Sequence, residues 1–437
     1  VTNNSNMRYY MRPVQNNRRS ADLIAKQEQQ FHQLASQFQE AMRKADYQKG
    51  KELAEATLRI MPRNQDVQAS YALCLMRIGE YEKSYKLYKR LLNTAPLNKL
   101  PSTMIDGLTE VCGWLERPEE VRRYGLMSLE EADKVFSAGK AYSLPAGNPP
   151  PFNPDNPQEN VISFTLFGAA PRYCEAAVMN AVVSKDLFPG WECRFYLDDT
   201  VPQDIQERLR KSGANVIKVD EDTRQALPAL MWRFLVLDDP KIKRYIIRDA
   251  DSLLSEREQA AVNEWVNSEC WYHHIRDYFT HSELILAGLW GGCYNENLPS
   301  VIDATREYLS QQEAHKRFVD QYFLRQYIWP TVRQSILSHD DIFGFYHAKP
   351  FPAHPPIRWK TNKFHVGSNA SYQRVEVSSK LADGELQSWE IVDENGTKQC
   401  EYRSIVSNGV WEEFLPFFIL NQINDKKLAL RNINSAE

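Results

Sequence analysis

The chain has 437 residues, 43% of them hydrophobic and 25% charged, with a formal net charge of −4. That length exceeds the usual reach of one hydrophobic core and predicts two domains, while the near-neutral charge excludes nucleic acid as a bulk electrostatic partner. No apolar run approaches the roughly eighteen residues of a membrane-spanning helix. Seven cysteines lie far apart without a Cys-x-x-Cys pair, so neither a disulfide framework nor a zinc knuckle is expected. A reducing, cytoplasmic compartment fits that usage.

Residues 1–25 are polar, with four arginines and no acid before Asp22. They read as a flexible terminus, with loose contact to anionic lipid as the alternative. A repeat follows over residues 26–140. Ala45-Asp46-Tyr47 returns as Gly79-Glu80-Tyr81, Leu58 as Leu92 and Pro62 as Pro96, and Gly113 echoes Gly79 in a more degenerate third unit. Tyr85, Tyr88, Leu91 and Leu92 share one helical stripe that only a neighbouring repeat can cover. The stretches ADYQKGKELAEATLRIMPRNQ and GEYEKSYKLYKRLLNTAPLN resemble the tetratricopeptide family. That resemblance implies paired antiparallel helices that bind a partner protein, pack on a neighbouring domain or self-associate.

Six prolines between Pro145 and Pro157 favour an extended course. Residues 141–160 are therefore predicted as a linker and the domain boundary. From Val161 the pattern changes. VISFTLF is a continuous apolar run ended by Gly168, as a buried strand of a mostly parallel sheet requires. Helical stretches then alternate with CRFYL, NVIKV and RYII, which predicts an α/β domain over 161–370. Ligands of such sheets gather at the carboxyl ends of strands.

Tyr245-Ile246-Ile247 leads directly into Arg248-Asp249-Ala250-Asp251-Ser252. Two carboxylates two residues apart at a strand end can reach one hard cation, which in turn takes diphosphate oxygens. The competing reading is that Asp251 caps the following helix. The stretch from Arg248 through Gly292 resembles the GT-A class of glycosyltransferases, and in particular a DxD-containing bacterial and viral glycosyltransferase-like family. The resemblance rests on Asp249, Asp251, Arg257, Glu258, Trp265, His273 or His274, Arg276, Asp277, His281, Gly288, Trp290 and Gly291. It continues in Asp320-Gln321, His339-Asp340 and Lys349-Pro350-Phe351-Pro352.

The resemblance implies a Rossmann-like GT-A fold and metal-dependent transfer from a nucleoside-diphosphate sugar, UDP-sugar favoured, with Mn2+ or Mg2+ as cofactor. The acceptor it implies is a glycan or lipid-linked glycan of surface polysaccharide synthesis. Asp251 becomes the direct metal ligand, and Asp249 bonds the metal, the ribose or both. His339 or His365 supplies a third ligand. Arg233 or Arg248 pairs with diphosphate, unless each merely neutralises a nearby acid. Phe167, Trp290 and Gly291 line the donor side, with Trp290 offering a stacking face or else filling core. Asp277 and Asp320 are the candidate catalytic carboxylates. Transfer to a polypeptide held by the repeats, and a non-catalytic scaffold, are the competing functions.

Residues 371–437 read as short strands around Asp-Gly and Asn-Gly turns, forming an extension that packs on the catalytic domain. The apolar stretch WEEFLPFFILNQI closes over the core or, alternatively, touches a membrane surface.

Overall fold

The computed structural model describes residues 15–94, 102–311, 319–361 and 364–433, and within them the side chains of all but residues 15–28 and 102. Of the expected flexible terminus, residues 1–14 lie outside the described residues, whereas 15–25 belong to a helix. The chain divides into two compact units, residues 1–128 and 129–437.

In unit 1, α1 (Gln15–Arg43), α2 (Tyr47–Ile60), α3 (Gln65–Arg77), α4 (Tyr81–Leu92), α5 (Ser102–Trp114) and the first part of α6 (Pro118–Phe136) follow in order. Three helix-to-helix turns share one geometry. Ala45, Gly79 and Glu116 adopt left-handed φ of 55°, 83° and 55°. The next N–H reaches back five residues each time, from Asp46 to Ala41, Glu80 to Leu75 and Arg117 to Cys112, at 2.9, 2.8 and 3.0 Å. Glu116 is therefore the third equivalent of Gly79. The expected Gly113 instead lies inside α5, because the third unit is three residues longer. Tyr88 and Leu91 are buried as the stripe requires, and Tyr88 packs where a Cβ on Gly107 of α5 would fall.

Unit 2 begins within α6, ahead of the proline-rich segment. Asp133 accepts from Trp329 Nε1 at 2.7 Å and pairs with Arg333 at 3.1 Å. The extended stretch that follows is bonded along its length, with Pro150 O accepting from Arg244 Nη2 at 2.7 Å and Asn153 O from Asn160 Nδ2 at 3.0 Å. It is a strap on this unit rather than a free spacer.

The core of unit 2 runs β1 (Asn160–Leu166), α7 (Pro171–Leu187), β2 (Glu192–Leu197), α8 (Gln203–Lys211), β3 (Asn215–Lys218), α9 (Glu221–Ala226) and β4 (Arg244–Ile247). It continues through α10 (Glu256–Val266), β5 (Tyr272–Arg276), β6 (Trp290–Cys293), α11 (Val301–Gln311), α12 (Val319–Phe323), α13 (Trp329–Val332) and β7 (Ile336–Asp340). Among the described residues the strands form a seven-stranded sheet in the order β3-β2-β1-β4-β6-β5-β7. Only β6 runs against the rest, pairing antiparallel with β4 and β5. This is the mostly parallel, Rossmann-like α/β architecture that the alternating strands and helices predict. All seven residues of β1 are buried.

A second, antiparallel sheet closes the chain, with β8 (Gln373–Ser378), β9 (Leu386–Asp393), β10 (Lys398–Ser407), β11 (Val410–Leu415) and β12 (Leu428–Asn432) in the order β12-β9-β10-β11-β8, and α14 (Phe417–Asn424) ahead of β12. Asn408 and Gly409, both at positive φ, make the tight turn between β10 and β11. Trp411, Leu415, Phe418 and Ile419 are buried, so the apolar stretch near the end closes over core. Among the described residues no helix is long and apolar enough to cross a membrane.

Candidate functional site

The carboxyl ends of β1, β4, β5 and β7 share one edge of the large sheet, and the Asp249–Ser252 turn follows β4 there. Buried Asn180 of α7 fixes that turn. Its Nδ2 donates to Ala250 O at 3.3 Å and Ser252 O at 2.8 Å, and its Oδ1 accepts from Leu254 N at 3.0 Å. The segment 365–371 is laced to the same turn, with Ala370 N donating to Asp251 O at 2.8 Å and Ser252 Oγ to Gly367 O at 2.8 Å. Gly367 makes this course at φ 77°, and a Cβ there would strike Leu289. Ser255 caps α10, so Asp251 is not the helix cap.

The result is a cleft of about 380 Å3 lined by Asp249, Asp251, Ser252, His365, Gly367 and Ser368, with Asn369 and Ser371 beside them. A groove of about 790 Å3 lies apart from it, in unit 1, between α1 and α2. That groove brings together helix-surface side chains already ion-paired, such as Arg43 with Glu40, and the acidic cleft is where the chemistry gathers.

Asp251 has no ion-pair partner among the described residues. Burial, then the neighbouring charge of Asp249, pushes its carboxyl up to about 6. Asp249 is held differently. Its Oδ1 accepts from Arg233 Nη1, and its Oδ2 stands where a Cβ on Gly288 would fall. Arg233 is buried and its other nitrogen donates to Asp320 at 2.7 Å. The buried strand β1 fixes Arg233 at both backbone groups, since Ser163 Oγ donates to its carbonyl at 2.6 Å and Thr165 Oγ1 accepts its N–H at 2.8 Å. Asp320, Arg233 and Asp249 thus form one ion-pair array behind the cleft. Burial raises the Asp320 carboxyl, against the pull of Arg233.

Several expectations need correction. Arg248 does not face the cleft; it is buried against Glu258 at 2.8 Å and donates to the carbonyls of Ile247 and Trp290. Trp290 is 1% exposed, packed edge-on to Tyr245 and against Phe234, and offers no stacking face. Gly291 is required by sheet packing, since a Cβ would meet Tyr245 O and Ile246. His339 is fully buried, with its two ring nitrogens bonded to His273 at 3.0 Å and Glu264 at 3.1 Å, and is not at the cleft.

Asp277 is buried, paired with Arg257 at 2.7 Å, and accepts Val366 N–H on both oxygens at 3.1 and 3.2 Å. Burial still pushes its carboxyl up to about 6. It anchors the segment carrying His365, which does line the cleft and stacks on Tyr278 at 3.6 Å. Phe167 is 42% exposed just beyond β1, edge-on to Trp232.

Sequence reasoning missed Arg172, in the first turn of α7. It lies over the rings of Tyr173 and Tyr372 at 4.7 and 5.0 Å and donates to both hydroxyls at 3.3 and 3.2 Å. It also missed Ser368, Asn369 and Ser371. No spacing rule marks such residues; only the fold brings them to the acidic turn.

Among the described residues no group of three or more His, Cys, Asp or Glu side chains is placed to hold a metal ion. Asp249 and Asp251 nevertheless fit a hard cation that completes its shell with water and ligand oxygens. The carboxyl of Asp251, raised by burial and by like charge and without an ion-pair partner among the described residues, is the donor such an ion would use.

No protein-family model matches the chain, and no curated protein matches it. Among solved structures it is similar to a mutant O-GlcNAc transferase of Thermobaculum terrenum, with 16% identity and a TM-score of 0.28 over 51% of this chain and 46% of that one. It is also similar to glucosyl-3-phosphoglycerate synthase from Mycobacterium tuberculosis in complex with uridine diphosphate, with 13% identity and a TM-score of 0.27 over 53% of this chain and 77% of that one. The same synthase with Mg2+ and uridine diphosphate gives 12% identity and a TM-score of 0.26 over 52% and 76%. This chain thus spans less than half of the first of these structures. All three are distant likenesses.

Proposed function

We propose that residues 161–370 form the catalytic domain of a metal-dependent glycosyltransferase acting on a nucleoside-diphosphate sugar, with residues 371–437 as an extension that packs on it. The observation that carries this reading is the pair Asp249 and Asp251 on the turn after β4, opening on a cleft at the carboxyl edge of a mostly parallel sheet. A divalent cation bound there, Mn2+ or Mg2+, would supply the charge that stabilises a departing nucleoside diphosphate.

Asp251 is the direct oxygen ligand in this reading. Asp249 is oriented by Arg233 and by the close backbone of Gly288, and His365 lines the same cleft. Phe167 offers its exposed face to the donor base. Asp277 and Asp320, expected as the catalytic carboxylates, are placed in this reading as positioning residues, acting through Val366 and Arg233. The acceptor is taken to be a glycan or lipid-linked glycan. The helical repeats of unit 1, read as tetratricopeptide-like, serve a protein partner or self-association.

The test is a donor screen on the full chain. Thermal stability and slow donor hydrolysis are followed with UDP-, GDP-, CMP- and dTDP-sugars, with Mn2+, Mg2+ or EDTA. Metal-dependent stabilisation by one nucleotide, lost in Asp251→Asn, is the expected result. No response to any donor under any of these conditions would sink the reading.

A further inference from the structure

The arginines around the cleft are not equivalent. Arg233 is divided between Asp249 and Asp320, Arg248 is closed on Glu258, Arg257 on Asp277, and Arg358 on Glu256 and Asp186. Their charge is spent on carboxylates of the protein. Arg172 is held in place by neutral groups, two phenol hydroxyls and two ring faces, and among the described residues no carboxylate lies within ion-pair distance of it. Its position is nonetheless defined. Tyr372 adjoins Ser371 of the cleft lining and is itself braced edge-on by Phe414 at 5.5 Å.

We propose that Arg172, clamped between Tyr173 and Tyr372, is the anion-binding residue of the cleft and takes the diphosphate of the nucleotide ligand. The assignment rests on the donor reading above and replaces Arg233 and Arg248 in that role. A guanidinium suits it because its planar fork matches phosphate oxygens, and neutral partners leave its charge available. The aromatic clamp limits its rotamers before binding, which lowers the ordering cost. A cation on Asp251 and Arg172 at the rim would share the negative charge of one diphosphate between them.

The experiment is calorimetric titration of the full chain with inorganic pyrophosphate, with UDP, GDP, CDP and dTDP, and with the matching nucleosides, each with and without Mn2+. Arg172→Gln is expected to weaken pyrophosphate and the preferred nucleoside diphosphate by about 10- to 100-fold, with the melting temperature unchanged. Arg172→Lys should fall between, keeping charge but losing the fork. Tyr372→Phe should weaken the same ligands by a few-fold, and nucleoside binding should not change in any variant.

Equal phosphate binding by wild type and Arg172→Gln would overturn the assignment and leave the donor reading standing. A loss that extends equally to the bare nucleoside would overturn it too, since Arg172 would then act on the base. If no phosphate ligand binds the wild type, with or without Mn2+, this inference and the donor reading fall together.

Discussion

Asp251 carries a negative charge into a half-buried turn that already holds Asp249, and the folded protein pays for that arrangement in stability. Its carboxyl is raised to about 6 by burial and like charge, against about 3.9 in an unfolded chain. The folded state therefore holds the proton more tightly than the unfolded state. Ionised Asp251 destabilises the fold above about pH 6, and the cost is relieved as pH falls from 6 towards 4. A displacement of that size is worth about 3 kcal/mol in full burial, and water at the half-buried group screens it to about 1–2 kcal/mol. Asp251→Asn in the metal-free protein should accordingly gain about 1–2 kcal/mol at pH 8 and nothing near pH 4. Urea unfolding at the two pH values measures it, and a loss at pH 8 would contradict the account. The same residue shows what sequence could supply. Its place after an apolar strand was legible, because strand ends in α/β sheets collect ligands. Which nearby arginine keeps its charge free of protein carboxylates was not, since Arg172, Arg233 and Arg248 differ only in the acids that folding brings to them.

Elements were legible where periodicity or turn chemistry is local. The apolar run of β1, the strand before Asp249 and the Ala45 and Gly79 turns all follow from nearby residues. The Glu116 turn was hidden because a left-handed φ there falls on a residue that does not advertise it. Trp290 and His339 were misjudged for a related reason: β6 and β7 are short strands whose burial on both faces depends on distant partners. The approach to β6 also sets the cleft. Gly288 lets the backbone pass against the Asp249 carboxylate, in space a Cβ would occupy. Gly288→Ala should push Asp249 off Arg233 and lower Mn2+ affinity by about 10-fold or more, with about 1–3 kcal/mol lost from overpacking. Manganese titration followed by electron paramagnetic resonance reads the first effect and urea unfolding the second. Unchanged affinity would show that Asp249 needs no such fixed position.

At the scale of unit 2, the antiparallel sheet is joined to the α/β core through a buried charge. Glu175 of α7 is 2% exposed and held by Arg208 of α8 through two 2.7 Å bonds. Tyr402 donates to it at 2.6 Å and Cys400 at 3.2 Å, both from β10. Burial alone would raise the Glu175 carboxyl; Arg208, Tyr402 and Cys400 together hold it below the usual carboxylate range. This joint matters to the cleft, because the chain that enters the second sheet supplies Ser371 to the lining and Tyr372 to Arg172. Arg208→Met would leave an unpaired carboxylate in the interior, at a cost of about 3–5 kcal/mol at pH 8. Without Arg208 the Glu175 pKa rises, so the cost should shrink as the pH is lowered towards 5 and the group takes up a proton. Adding Glu175→Gln removes the charge itself and should recover most of the loss at pH 8 while leaving little pH dependence. Urea midpoints for wild type, Arg208→Met and the double variant at pH 8 and pH 5 separate the cases. If the double variant is as unstable as Arg208→Met at pH 8, the packing of the Arg208 stem, rather than the ion pair, holds the two sheets of this unit together.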